Sequence, residues 1–344
     1  MSSIRQISLS SLALIALIVM GGAHLFINAP ATAAETNKGQ ISSIDNNLFA
    51  ENWTPLFTEL QDKNKEHFIS PDLITDVFCP QIKIFYPKGW QKTDNRPLLC
   101  VFPGGGYSIE SLAQEGARVA QWANTLGMVA AVVKYRVSQQ NYEIGQFPGP
   151  LLDTRRALRT CRKNAKSLGV NPNKIGIIGF SAGGHLAAMT ATLWGKKLNE
   201  EKNDPFLTIS ARPDFALLIY PVITMQDQLT HSGTQLRILG KTPTPELKEL
   251  CSTEKQVTSA TPPIFLAQSQ KDTVVSCKNS EIMEQACKAH QVDVKLILYT
   301  EGEHGRGIEK QNKPLDAWPQ DAAKWLQSHQ FTYPSQQTQN PSLK

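Results

Sequence analysis

Residues 174–191 place one serine between two different periodicities. Lys174-Ile175-Gly176-Ile177-Ile178 is a short apolar run, the pattern of a strand buried on both faces. Leu186-Ala187-Ala188-Met189-Thr190-Ala191 reads as a helix. Between them, Gly179-Phe180-Ser181-Ala182-Gly183 must turn sharply from strand to helix. The small residues around Ser181 let the backbone fold tightly and push Oγ into a cleft, as a G-x-S-x-G elbow requires. A serine placed this way is a nucleophile in need of a base, and a buried strand feeding a helix calls for a layered α/β fold.

The rest of the chain supplies that fold. From Thr75 onward strands and helices alternate. Ile82–Tyr86, Pro97–Phe102, Met128–Tyr135, Asp214–Tyr220, Pro263–Ala267 and Val292–Leu298 read as strands, and 111–126, 151–168, 279–289 and 316–327 as helices. The expected architecture is a mainly parallel central sheet covered by helices on both faces. On the helix from Leu151 to Leu168, Arg155, Arg156, Arg159, Arg162 and Lys163 are assigned to the solvent side. Asp153 opens that helix, and Arg136 is a candidate buried partner for it. The polar, proline-bearing stretch 224–261 reads as an excursion beside the site.

The first residues read as an address. Arg5 precedes the apolar run Leu12–Met20, and Ala31-Thr32-Ala33-Ala34 offers small-residue cleavage positions. The expected domains are a signal peptide (1–34), a polar extension (35–74), a catalytic domain (75–331) and a flexible tail (332–344). Export makes the chain periplasmic or secreted and permits disulfides among its six cysteines, whose pairing the sequence does not choose. An uncleaved N-terminal anchor is the alternative, and no stable membrane partner is expected after cleavage. Cys100, inside an apolar run, reads as a small buried hydrophobe. The net charge of +5 is scattered rather than gathered into a basic patch with aromatics, which argues against a nucleic-acid partner.

Sheets of this kind carry reactive groups at the carboxyl ends of their strands. Four such positions hold suggestive residues: Gly104-Gly105-Gly106, Ser181, Asp272 and His304. The order Ser, Asp, His is that of an α/β-hydrolase triad. His304 would take the Ser181 proton, and Asp272 would hold the imidazole in the useful tautomer. The N–H groups of Ala182 and of Gly105 or Gly106 would face the developing oxyanion. Asp293 is a rival acid, but it precedes its strand. Glu303 reads as solvent-facing and His185 as a packing residue. Tyr107 and Arg306 flank the site as candidate substrate contacts.

Pro103-Gly104-Gly105-Gly106-Tyr107, Asn171-Pro172-Asn173-Lys174-Ile175-Gly176, Gly179 through Ala187, Arg212 through Ile223 and Gly302-Glu303-His304-Gly305 together resemble the acetylxylan-esterase-like branch of the α/β-hydrolases. The resemblance runs from about Val77 to Ser328. It implies a serine esterase, without metal or organic cofactor, that deacetylates carbohydrates or other small or oligosaccharide esters. Where that branch commonly has Asp-Asp or Asp-Pro after the acid-bearing strand, this chain has Lys271-Asp272-Thr273. A feruloyl esterase or peptidase on the same fold is the competing enzyme reading. A non-catalytic carbohydrate-binding homologue is the reading from another class.

Overall fold

A computed structural model describes residues 52–140, 143, 145–202 and 204–333. The expected signal peptide and most of the expected tail lie outside them. The strands are β1 (Thr54–Pro55), β2 (His67–Phe68), β3 (Leu73–Thr75), β4 (Gln81–Phe85), β5 (Arg96–Phe102), β6 (Ile109–Ser111), β7 (Val129–Lys134), β8 (Val170–Phe180), β9 (Ala216–Ile219), β10 (Ile264–Ser269) and β11 (Val294–Tyr299). The α-helices are α1 (Arg118–Thr125), α2 (Gly149–Lys163), α3 (Ser181–Leu193), α4 (Ser232–Leu239), α5 (Pro245–Cys251), α6 (Lys278–Ala289) and α7 (Trp318–Ser328).

Eight strands form one sheet in the order β1-β4-β7-β5-β8-β9-β10-β11, and β2-β3-β6 form a small second sheet. From β7 to β11 the large sheet is parallel, while β1 and β4 pair antiparallel at one edge. Strands β5, β7, β9 and β10 are buried along their whole length. That is why they read as unbroken apolar runs rather than alternating ones. The helices cover both faces. Trp122 of α1 meets Trp318 of α7 edge to face at 5.4 Å. The Thr154 and Thr190 hydroxyls join α2 to α3 at 2.7 Å.

Two expectations change. The polar extension is not separate from the domain. Leu56 lies in the core, and β1 extends the large sheet. Second, Arg155, Arg156 and Arg159 of α2 are buried, not wet. Arg155 and Arg159 pair with Glu201, and Arg156 and Arg159 with Asp204. Only Lys163 of that group is exposed. The sequence left the cysteines open, and all six carry free thiols. Cys100 is buried as expected, its sulfur 4.0 Å from that of Cys161. Arg136 does hold Asp153, through contacts of 2.6 to 3.0 Å.

The stretch 224–261 folds into α4, α5 and a 3-10 turn (Thr253–Gln256), and that turn packs beside α3 and α6. No helix among the described residues is long and apolar enough to cross a membrane.

Candidate active site

Strand β8 ends at Phe180 with extended backbone, and α3 starts at the next residue. Ser181 makes that turn at φ +53, a left-handed conformation that non-glycine residues rarely hold. The turn is possible only because its flanks lack Cβ atoms. One added to Gly179 would lie 2.1 Å from the Gly183 carbonyl oxygen, and one added to Gly183 would lie 2.3 Å from the Phe102 oxygen. The elbow is thus wedged between its own helix and the end of β5.

The loops after β10 and β11 bring the other two residues to Ser181. His304 Nε2 is 2.8 Å from Ser181 Oγ, and His304 Nδ1 is 2.7 Å from Asp272 Oδ2. The Val274 and Val275 N–H groups both donate to Asp272 Oδ1 at 2.9 Å. Their loop is pinned in turn by Gln268, which donates to the Val275 carbonyl at 2.8 Å and accepts from Ser280 at 2.5 Å. Burial pushes the Asp272 carboxyl up. The hydrogen bond and charge of His304, with the two amides, outweigh this and hold it below its ordinary value. An ionised Asp272 only accepts, so the imidazole proton sits on Nδ1 and Nε2 is free to accept from Ser181. Asp293, the rival acid, pairs with His329 at 2.7 Å instead.

Gly105 and Gly106 follow β5 with φ of +139 and +64. Among the described residues their amides have no hydrogen-bond acceptor, and the space beside Gly106 is open. The Ala182 amide belongs to the first turn of α3, where no intrahelical acceptor exists. Gly104 lies against the nucleophile: a Cβ on it would be 3.2 Å from Ser181 Cβ. The expected oxyanion groups and Ser181 therefore share one end of the sheet.

Of the two expected substrate contacts, Tyr107 is withdrawn into the core and Arg306 stays at the surface beside His304. The Tyr107 side chain is fully buried, with its hydroxyl 2.9 Å from His185 Nδ1. Arg306 lies at the surface, paired with Glu303 at 2.9 Å and Glu309 at 3.5 Å. Glu303 itself is solvent-exposed, as expected. His185 is a packing residue. Its Nε2 is 2.8 Å from the Cys251 carbonyl, and burial lowers its pKa to about 4.

The sequence reading missed Glu115. It stands fully buried in a π-helical turn (Leu112–Ala117), accepting from Gly104 N–H and from Tyr220 Oη, each at 2.7 Å. A carboxylate set among Leu112, Ala113, Gly116 and Ala117 was the available signal. No group of side chains suited to holding a metal occurs among the described residues.

The geometry agrees with the kinship of the chain. It is 34% identical over 230 residues to an acetylxylan esterase of Xylanibacter ruminicola, covering 66% of this chain and 44% of that one. It is 34% identical over 210 residues to endo-1,4-beta-xylanase B of Butyrivibrio fibrisolvens, covering 61% and 32%. The match thus spans less than half the length of either relative. Among solved structures, an acetyl ester-xyloside bifunctional hydrolase from Caldicellulosiruptor lactoaceticus superposes with a TM-score of 0.70 at 34% identity, covering 82% of this chain and 97% of that one. A propionate-bound esterase of Thermogutta terrifontis gives a TM-score of 0.62 at 26% identity, covering 75% and 92%. The BD-FAE family model matches residues 82–287, from β4 through the elbow and the acid loop into α6. With well over half of the chain inside that match and a solved hydrolase superposing on the fold, the protein belongs to the BD-FAE family of α/β-hydrolases.

Proposed function

We propose that the protein is an exported serine esterase that removes short acyl groups, acetyl first among them, from carbohydrate esters such as acetylated xylan or its oligosaccharides. The observation that carries this reading is the continuous hydrogen-bonded line Ser181–His304–Asp272 beside unpaired oxyanion-loop amides. Its relatives named as acetylxylan esterase and acetyl ester-xyloside hydrolase support the substrate class. The T. terrifontis neighbour, seen with propionate and with butyrate bound, supports a short acyl group. Export rests on Arg5, the apolar run Leu12–Met20 and the small residues at 31–34.

In this mechanism Ser181 Oγ attacks the ester carbonyl carbon while its proton passes to His304 Nε2. The carbonyl oxygen becomes an oxyanion facing the amides of Ala182 and of Gly105 or Gly106. The new imidazolium is stabilised by Asp272 and returns its proton to the leaving alkoxide. Water then attacks the acyl-enzyme, with His304 as base, and releases the carboxylic acid and free Ser181.

The test compares wild type and Ser181→Ala on a short-chain aryl acetate and on acetylated xylan. Acetate release from both substrates, falling by about 10⁴-fold or more in the variant, supports the whole reading. Turnover of the aryl ester alone keeps the mechanism and removes xylan. Equal rates in the two proteins would remove Ser181 as the nucleophile.

A further inference from the structure

Glu115 has no step in the mechanism above, yet it touches both loops that build the site. Its Oε2 accepts from the N–H of Gly104, the residue that opens the oxyanion loop, at 2.7 Å. Its Oε1 accepts from Tyr220 Oη at 2.7 Å. Tyr220 Oη accepts in turn from the N–H of Gly307, three residues past His304, at 2.7 Å. The Tyr220 ring packs on the His304 imidazole with centroids 4.7 Å apart. The fit is tight on both sides of the carboxylate. A Cβ on Gly104 would lie 2.6 Å from Glu115 Oε2, and one on Gly307 would lie 2.6 Å from the carbonyl oxygen of Gln114. Trp318 Nε1 holds the Gly307 carbonyl at 2.8 Å, so the histidine loop is clamped from both faces.

Burying a carboxylate is unfavourable, and two donors offset only part of that. A group kept there against that cost is expected to serve something. Oxyanion catalysis demands that the amides and the base keep their separation within a fraction of an ångström. These two loops lie about 200 residues apart in sequence, and one carboxylate spans the gap between them. The same carboxylate is a fixed negative charge behind the imidazole. We propose that Glu115 is a positioning residue that ties the oxyanion loop to the histidine loop, and that its charge stabilises the imidazolium formed as Ser181 attacks.

Glu115 accepts both of its hydrogen bonds, as an ionised carboxylate does, while burial leaves its carboxyl above the ordinary value. Burial pushes the Glu115 carboxyl up, the Tyr220 and Gly104 hydrogen bonds and the charge of His304 pull it down, and nearby Asp72 pushes it up again. The imidazole of His304 is faced by Asp272 and Ser181 through hydrogen bonds, by the Tyr220 ring, and by His231 at the start of α4. Tyr135 completes the titratable groups around Glu115.

This inference rests on the esterase reading, so the experiment separates the two. Steady-state rates on an aryl acetate are measured across pH for the full chain, for Glu115→Gln and for Tyr220→Phe. In Glu115→Gln, kcat is expected to fall about tenfold or more, with KM within about threefold of wild type. The acid limb of kcat/KM should move to lower pH by about half a unit or more, because a neutral amide no longer favours the imidazolium. In Tyr220→Phe, which cuts the bridge and leaves the carboxylate, kcat should fall comparably with the limb in place. A folded Glu115→Gln whose acid limb stays within about 0.2 unit of wild type overturns the proposal. Should Glu115→Gln fail to give native near-ultraviolet circular dichroism, Tyr220→Phe decides, and a wild-type kcat in that variant overturns it. A wild-type chain that hydrolyses no ester and does not react with paraoxon removes the esterase reading and this inference with it.

Discussion

The imidazole of His185 lies one helical turn past the nucleophile and yet takes no part in the relay, for a reason visible in its partners. Nε2–H donates to the Cys251 carbonyl, so bare Nδ1 accepts from the Tyr107 hydroxyl. Both nitrogens are engaged and the ring is neutral. Burial lowers its pKa to about 4, which makes it a pH-dependent stability term. The folded value lies below the unfolded value of about 6.5, so between these two pH values the unfolded chain holds a proton that the folded chain does not. Its contribution is therefore complete above about pH 6.5 and is lost as pH falls toward 4, by about 3 kcal/mol over the window. Urea unfolding of wild type and His185→Gln at pH 7 and pH 4 checks this. The wild type should lose about 3 kcal/mol more than the variant between the two conditions, and equal losses would contradict the assignment.

At the scale of elements, helix α2 shows where a sequence misleads. Five basic residues within nine positions invite a solvated face, but the acidic residues that neutralise three of them lie on another segment, at Glu201 and Asp204. No local pattern on α2 announces partners some 40 residues downstream. Glu201 accepts from both Arg155 and Arg159 inside the protein. Glu201→Ala would leave the buried Arg155 guanidinium without its carboxylate and Arg159 with Asp204 alone, and a broken buried pair of this kind costs about 3–5 kcal/mol. The expected result is a lower urea midpoint, with kcat within about twofold of wild type because the cluster contributes no group to the triad. A midpoint unchanged from wild type would mean that solvent reaches the cluster. The elements that carry chemistry were legible for the opposite reason. Ser181 and Asp272 follow the buried ends of β8 and β10 and His304 follows the half-buried edge strand β11; all three strands are apolar runs, and the position at a strand's carboxyl end is written in that run. Strands β1, β2 and β3 are two or three residues long, too short to carry a period, and so residues 52–74 read only as a polar extension. Glu115 was hidden because its role depends on Tyr220, 105 positions away.

Seen whole, the molecule solves a sheet-edge problem with those unreadable residues. One edge, β11, is guarded by exposed Lys295. The other, β4, is closed by β1, and the Leu56 N–H continues the closure to the Pro80 carbonyl at 2.9 Å. The same segment covers two buried cations. The Leu56 carbonyl accepts from Arg156 Nη1 at 3.0 Å, and the Phe57 ring lies 4.3 Å from that guanidinium. The Lys134 ammonium sits 4.3 Å from the Trp53 ring, with Glu66 as its ion-pair partner at 2.6 Å. A chain shortened to begin at residue 58 would lose Leu56 from the core, about 2 kcal/mol by apolar burial alone. It would also lose the Arg156 hydrogen bond and two cation–ring contacts, each about 1 kcal/mol. The total points to about 4–5 kcal/mol, a large fraction of an ordinary domain's stability. Beside the destabilisation, the bared β4 edge should pair between molecules. The site should be spared: β4 lies three strands from β8, about 14 Å at the usual strand spacing, and Asp72 and β3 beside the Glu115 turn remain in place. Urea unfolding, sedimentation velocity and esterase assays on the shortened chain should therefore diverge: a lower midpoint, concentration-dependent dimers, and turnover per folded molecule within about twofold of wild type. A monomer with an unchanged midpoint would show that β1 decorates the sheet rather than closing it.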